Sequence, residues 1–87
     1  AVTNWTFATG GIEREMALVK VSGPDRTAAR QAAETLGARI LDDRGQATVF
    51  ELTDAPAKIS SFIETMRPLG LSDVSRTGVA AISRDTA

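Results

Sequence analysis

The sequence contains neither cysteine nor histidine. A disulfide framework, a thiol nucleophile, a thiolate metal centre and a Ser-His-Asp triad are all excluded on that ground. It also lacks an excess of either charge, with ten basic side chains against eleven acidic ones and a formal net charge of −1. Gripping phosphate backbones requires a basic face, so nucleic acid is not expected as a partner. No apolar run approaches the roughly 18 residues of a membrane span, and the first residues carry neither the basic flank nor the apolar stretch of a signal peptide. Membrane contact is therefore not expected, and the cytoplasm is the expected compartment. No glycine-rich phosphate loop, dinucleotide fingerprint or metal-ligand spacing is present, and the carboxylates are too scattered to define a catalytic pair. Catalytic, cofactor and metal sites are not expected, although a small enzyme stays open as a further alternative.

What is present fits one small globular domain of 87 residues with 43% hydrophobic content. A chain of this size buries only about 60 to 65% of the surface its unfolded form exposes, so the core is small and association would add to it. Residues 1 to 11 are rich in threonine and end in Gly10-Gly11, which reads as a leader or linker arm. Trp5 and Phe7, at alternate positions in it, could form a short added strand or pack onto a neighbour, although an arm resting on its own domain is the plainer reading. Residues 12 to 87 form the domain proper.

Glu15-Met16-Ala17-Leu18-Val19-Lys20-Val21 is short, apolar at four consecutive positions and followed by Ser22-Gly23-Pro24, the pattern of a central strand. A helix opens at Gly23-Pro24-Asp25, runs to Leu36 on a stripe of Ala28, Ala29, Ala32, Ala33 and Leu36, and stops at Gly37. Residues 39 to 43 and 47 to 52 read as a hairpin whose turn at Arg44-Gly45 draws a positive φ from Gly45. Asp54 is expected to cap a second helix with Ala55, Ile59, Phe62, Ile63 and Met66 on its packed face, ended by Arg67-Pro68-Leu69-Gly70. A last strand, from Leu71 to about Ile82, is interrupted at Thr77-Gly78, which suggests a bulge.

The order β-α-β-β-α-β predicts an α+β, ferredoxin-like sandwich: a four-stranded antiparallel sheet with both helices on one face, as in ACT-like domains. One face of the sheet is then bare. The central strand cannot bury Met16, Ala17, Leu18 and Val19 all inside one monomer, so the open face or the sheet edge is predicted to be an association surface. Its candidate residues are Met16, Leu18 and Val49, joined by Arg76 and Gly78 at the strand break.

Several segments match one family in order and spacing. Glu13-Arg14-Glu15-Met16-Ala17-Leu18-Val19-Lys20-Val21 resembles the "ERELALIKV" opening of the C-terminal domain of acetohydroxyacid synthase (acetolactate synthase) small regulatory subunits. Leu36-Gly37-Ala38-Arg39-Ile40-Leu41-Asp42 and Val49-Phe50-Glu51-Leu52-Thr53 resemble the pieces that follow there. Ala57-Lys58-Ile59-Ser60-Ser61-Phe62-Ile63 and Arg67-Pro68-Leu69-Gly70-Leu71 resemble the family's "KIDAFI" and "RPLGI". Val74-Ser75-Arg76-Thr77-Gly78-Val79-Ala80-Ala81-Ile82-Ser83-Arg84 resembles "VARTGRVALSR". The resemblance spans residues 12 to 84 and implies a non-catalytic subunit that binds the large, thiamine-diphosphate-dependent catalytic subunit, raises its activity and conveys feedback inhibition by branched-chain amino acids. Together with the open sheet face, this makes a homodimer the expected state. Family members place an amino-acid-sensing ACT domain ahead of this region, for which these 87 residues leave no room, so binding of a small-molecule effector is not expected of them. A stand-alone effector-binding module remains the alternative.

Four other features have plainer readings. Arg76 could be presented to a neighbouring subunit, but a glycine at a bulge needs only a structural reason. Glu13, Arg14 and Glu15 read as a solvated strand end. Lys58, in the first turn of a helix where a cation is slightly unfavourable, reads as an exposed side chain. Ser22-Gly23-Pro24 lies where sensing domains hold a carboxylate, yet Pro24 removes a donor and Asp25 adds a competing negative charge.

Overall fold

The computed structural model describes residues 11–84. Residues 1–10, with Trp5 and Phe7, lie outside the described residues. Gly11, read from sequence as the end of the arm, already belongs to the first strand. That strand, β1 (Gly11–Ser22), is longer at its start than its apolar run suggests. Its second half alternates: Glu15, Ala17, Val19 and Val21 are buried, whereas Met16 and Leu18 are half-buried and Lys20 is exposed. Successive strand side chains point to opposite faces, so a continuous apolar run becomes two differently covered rows.

Helix α1 (Thr27–Leu36) begins later than Gly23-Pro24-Asp25, because Asp25 stands before the first turn and its Oδ1 accepts the N–H of Thr27 at 3.0 Å. Ala29 and Ala33 are buried, Ala32 and Leu36 pack beside them, and Ala28 faces solvent. The hairpin strands are β2 (Arg39–Asp42) and β3 (Ala47–Asp54). Gly45 does not take the positive φ expected of it. The connection is one residue longer than expected, with Asp43 in it, and side chains hold it: Asp42 Oδ1 accepts the N–H of Arg44 at 3.2 Å, and Arg26 Nη2 donates to the Gly45 carbonyl at 2.9 Å. Arg26 Nε also donates to the buried Thr48 hydroxyl at 2.8 Å, and that hydroxyl donates to Asp43. Arg30 pairs with Asp43 at 3.0 Å. One arginine at the start of α1 thus fastens the hairpin to the helix layer.

Helix α2 (Pro56–Met66) is preceded by Ala55 at the capping position, so Asp54 does not cap it as expected. Asp54 is the last residue of β3, and its carboxylate accepts the N–H of Ala55 at 2.7 Å. Pro56 opens the helix where its missing N–H removes no bond. A 3-10 turn over Arg67–Leu69 leads to Gly70, at φ +107°. A Cβ there would clash with the Ser22 carbonyl oxygen, so the close approach of the two segments requires glycine.

Strands β4 (Leu71–Arg76) and β5 (Ala80–Ser83) are the two halves of the expected last strand, separated where the bulge was predicted. The sheet is antiparallel with order β2-β3-β1-β4, and β5 pairs with the first residues of β1. The architecture is the expected ferredoxin-like α+β sandwich, with the fifth strand as an extension of the four-stranded sheet. Both helices lie on one side, where Phe50, Leu52, Val19 and Val21 meet Ile59, Phe62, Ile63 and Met66. Phe50 and Phe62 pack edge to face with centroids 6.3 Å apart. Among the described residues no helix is long and apolar enough to cross a membrane.

Candidate association surface

The face away from the helices is built from the alternate rows of β1, β3 and β4. Leu18 occupies its centre, opposite Glu51 on one side and Ser75 on the other. Met16 lies opposite Thr53, and Lys20 lies between Val49 and Asp73. Met16, Leu18 and Val49 are therefore brought onto one surface, as the alternation predicts, and each is half-buried by its neighbours. A shallow depression of about 200 Å³ runs beside Leu18, Lys20, Val49, Asp73 and Ser75. Arg39 reaches Glu51 at 2.9 Å on the same side. The surface is a small apolar centre with a charged border, the usual anatomy of a contact patch.

Arg76 and Gly78 lie elsewhere. Arg76 is opposite Ala17, whose row faces the helices. Its Nη2 and Nε donate to the two oxygens of Glu15 at 2.7 and 3.0 Å, and Nη2 lies 3.4 Å from the Ser60 hydroxyl of α2. Gly78, at φ +90°, turns its N–H to Glu15 Oε2 at 3.2 Å. Glu15 is 5% exposed, so the solvated strand end read over Glu13, Arg14 and Glu15 does not hold for its last member. The bidentate bond from Arg76 holds the Glu15 carboxyl below the usual carboxylate range, reinforced by the charge of Arg76 and the Gly78 N–H against the opposing effect of burial.

This joint sits where the sheet changes width. Ala17 pairs with Arg76 and Arg14 with Ala80, so two residues of β1 stand opposite three of the other chain segment. Thr77 bridges the gap: its N–H donates to the Met16 carbonyl at 3.0 Å and its Oγ1 accepts the Met16 N–H at 3.1 Å. Beyond it, Gly11, Ile12, Glu13 and Arg14 pair with β5 as a two-stranded ribbon, about 13 Å long at the usual strand rise.

Among the described residues, the large apolar side chains most open to solvent lie on the sheet edge and past the strand break, not on the open face. They are Ile40 (46%) and Leu41 (49%) on β2, Val79 (51%) just before β5, and Ile82 (66%) on the ribbon. The local pattern places Ile40 and Leu41 in a hairpin, and the sheet edge was an expected association surface, but neither residue is among its candidates. The ferredoxin-like order carries the signal for them, since it leaves the second strand outermost. For Ile82 the signal was the strand break, after which no helix remains to cover the chain.

The loop at Ser22-Gly23-Pro24 is occupied by the protein's own groups, with Arg26 donating to the Gly23 carbonyl and Gly23 N–H to the Gln46 carbonyl at 3.1 Å. Lys58 Nζ lies 4.0 Å from Asp54, one helical turn back, which matches its charge locally. Among the described residues no group of three Asp or Glu side chains could hold a metal ion.

Comparison with known proteins agrees with this geometry. The family described as "Small subunit of acetolactate synthase" matches residues 14–85. The acetolactate synthase small subunit of Bacillus subtilis is 35% identical over 77 residues, covering 86% of this chain and 45% of that protein. The probable acetolactate synthase small subunit of Methanothermobacter thermautotrophicus is 34% identical over 76 residues, with 84% and 45% covered. The crystal structure of the acetolactate synthase small subunit from Thermotoga maritima superposes with a TM-score of 0.81 at 30% identity, covering 90% of this chain and 49% of that one. The chain spans about half the length of the curated relatives it matches.

Proposed function

This chain belongs to the acetolactate synthase small-subunit family, and from that premise we propose that it is a non-catalytic regulatory domain that binds the catalytic subunit of acetolactate synthase. The system it would serve is the thiamine-diphosphate-dependent transferase of branched-chain amino acid biosynthesis, and its own self-association would be a homodimer. The observation that carries this reading is the family match over residues 14–85 on a sheet whose helices cover one face only. A small core with a free, part-apolar face gains from a partner. Met16, Leu18 and Val49 are assigned as the centre of the contact with the catalytic subunit. Arg76 and Gly78 act on it indirectly, by fixing through Glu15 and Thr77 the stretch of β1 from which Met16 projects.

The test is to mix the 87-residue chain with its cognate catalytic subunit and measure both turnover and co-elution. Raised turnover or a co-eluting complex, lost in Leu18→Lys, supports the proposal; neither complex nor rate change rejects it. The alternative, a stand-alone effector-binding module, has less support. The loop where such modules hold a carboxylate is filled here by Arg26, Asp25 and Gln46. Calorimetric titration with valine, leucine and isoleucine separates the two readings, since only the module binds one of them.

A further inference from the structure

We infer that the empty edge of β1 at residues 11 to 14 is taken by the chain's own residues 4 to 7, folded back as an antiparallel strand through a loop at Ala8-Thr9-Gly10. The inference goes beyond the function proposed above and does not rest on it. β3 accompanies β1 only as far as Asp54, opposite Glu15, and Ala55 then leads into α2. On the other side β5 follows β1 to Gly11. Among the described residues no strand pairs with residues 11 to 14 where β3 would have continued. Met16 turns its N–H and carbonyl to Thr77, on the side of β4. Backbone groups alternate in direction along a strand, so those of Glu13 and Gly11 turn to the empty edge. There Arg14 Nη1 donates to the Glu13 carbonyl at 2.7 Å, a side chain in the place of a strand N–H. A cleft of about 260 Å³ lined by Gly11, Ile12, Glu13, Arg14, Ala55 and Arg84 opens at the same point.

Length, turn chemistry and phase choose the occupant. Asn4-Trp5-Thr6-Phe7 offers four residues for four positions, and Trp5, Thr6 and Phe7 favour strands. A tight loop back to β1 needs a positive φ. Gly11 already lies in β1 without one, and Thr9 is β-branched, so Gly10 supplies it. A type I turn closed by a glycine in that region makes the three-residue loop Ala8-Thr9-Gly10, which sets Phe7 opposite Gly11 and Trp5 opposite Glu13. Those are the two residues whose backbone groups face the edge. Asn4 then stands opposite Arg14, and Asp54 of β3 closes the slot one position further on. Cross-strand partners share a face, so both aromatics join the row of Gly11 and Glu13, which continues the helix-facing row of Glu15, Ala17 and Val19. β5 contributes Ser83 and Ala81 to that row, small residues where two rings need room, and an aromatic ring beside a strand glycine is a favourable pairing. A second copy filling this edge would lose its translational freedom, whereas a three-residue loop within one chain closes at little entropic cost.

Nuclear magnetic resonance of the 87-residue chain tests this. Close contacts are expected between the Hα atoms of Thr6 and Ile12 and between those of Asn4 and Arg14, the pairs that exchange no hydrogen bonds and so lie nearest. The amides of Gly11 and Glu13 should exchange slowly at every protein concentration. Trp5, the single tryptophan, should emit at shorter wavelength than in denaturant. Gly10→Val puts a β-branched residue at positive φ. It should speed exchange at Gly11 and Glu13 by about tenfold or more and move the Trp5 emission to the red, while the amides of Val19 and Phe50 stay protected and show that the domain is folded. Gly10→Asn, which tolerates the same backbone region, should keep most of the protection. Fast exchange at Gly11 and Glu13 in the unsubstituted chain, protection that Gly10→Val leaves intact, or a different set of Hα contacts overturns the inference. So do contacts found only between differently labelled copies, which would give the edge to another molecule.

Discussion

The two halves of β1 obey the same alternation and meet opposite fates. From Glu15 onward the strand is flanked by β3 and β4 and roofed by two helices, and every second side chain is buried. From Gly11 to Arg14 it has one neighbour, β5, and no residue is buried. The difference shows that burial here is set by what lies over a strand, not by the strand's own sequence. Ile12 is as apolar as Val19 and lies opposite Ile82, itself 66% exposed, whereas Val19 is fully covered. The Glu15–Arg76 pair marks the change, a charged clasp at the point where the helix layer stops.

Each prediction opposes the covered half to the ribbon. The largest effect belongs to Phe62→Ala, which removes the ring packed edge to face on Phe50 and leaves a cavity under β1 and β3. It should cost about 3–5 kcal/mol, a large part of the roughly 5–15 kcal/mol a domain has, and denaturant unfolding will read it directly. Gly70→Ala comes next. Its Cβ meets the Ser22 carbonyl in a backbone region that suits glycine, so a loss of about 2 kcal/mol is expected, with faster amide exchange at Ser22.

Glu15→Gln tests the clasp through pH. The folded carboxyl has a lowered pKa, so its stabilisation is present above the unfolded value, about 4.3, and is lost as pH falls through the folded value. Unfolding free energy should therefore fall on acidification, and the slope should be shallower in Glu15→Gln. Asp25, Asp42 and Asp43, also lowered, keep it from vanishing. Hydrogen exchange should show β5 losing protection in this variant before β4 does. The smallest effect is predicted for Ile82→Ser on the ribbon, within about 0.5 kcal/mol by thermal melting. A loss comparable to that of Phe62→Ala would mean that the ribbon is covered in solution.

Much of this fold was legible in local pattern. The central strand, the Ala29 and Ala33 stripe, the α2 face from Ile59 to Met66 and the break near Gly78 each show in a few consecutive residues, because the periods of 2 and 3.6 are properties of the backbone. The candidate site was only partly legible. Alternation put Met16, Leu18 and Val49 on one face, but nothing near Arg76 in sequence announces Glu15, 61 positions away, so the structural role expected at the bulge came without its partner. Arg26 escaped notice for the same reason: Thr48, Asp43 and Gly45, its partners, reach it only after the hairpin folds back over the helix start. The helix starts were misplaced by a residue or more because Asp25 and Asp54 both bond the backbone just outside the helix instead of at its cap.

Local pattern dictates the kind and order of the elements and the side of each that is apolar, since short-range sterics and hydrophobic periodicity act within a few residues. Which strand became an edge, which charge was buried and which isoleucine was left in water were set by assembly of the elements. Those outcomes depend on groups far apart in the chain arriving at the same place, and on the helix layer ending before the strands do.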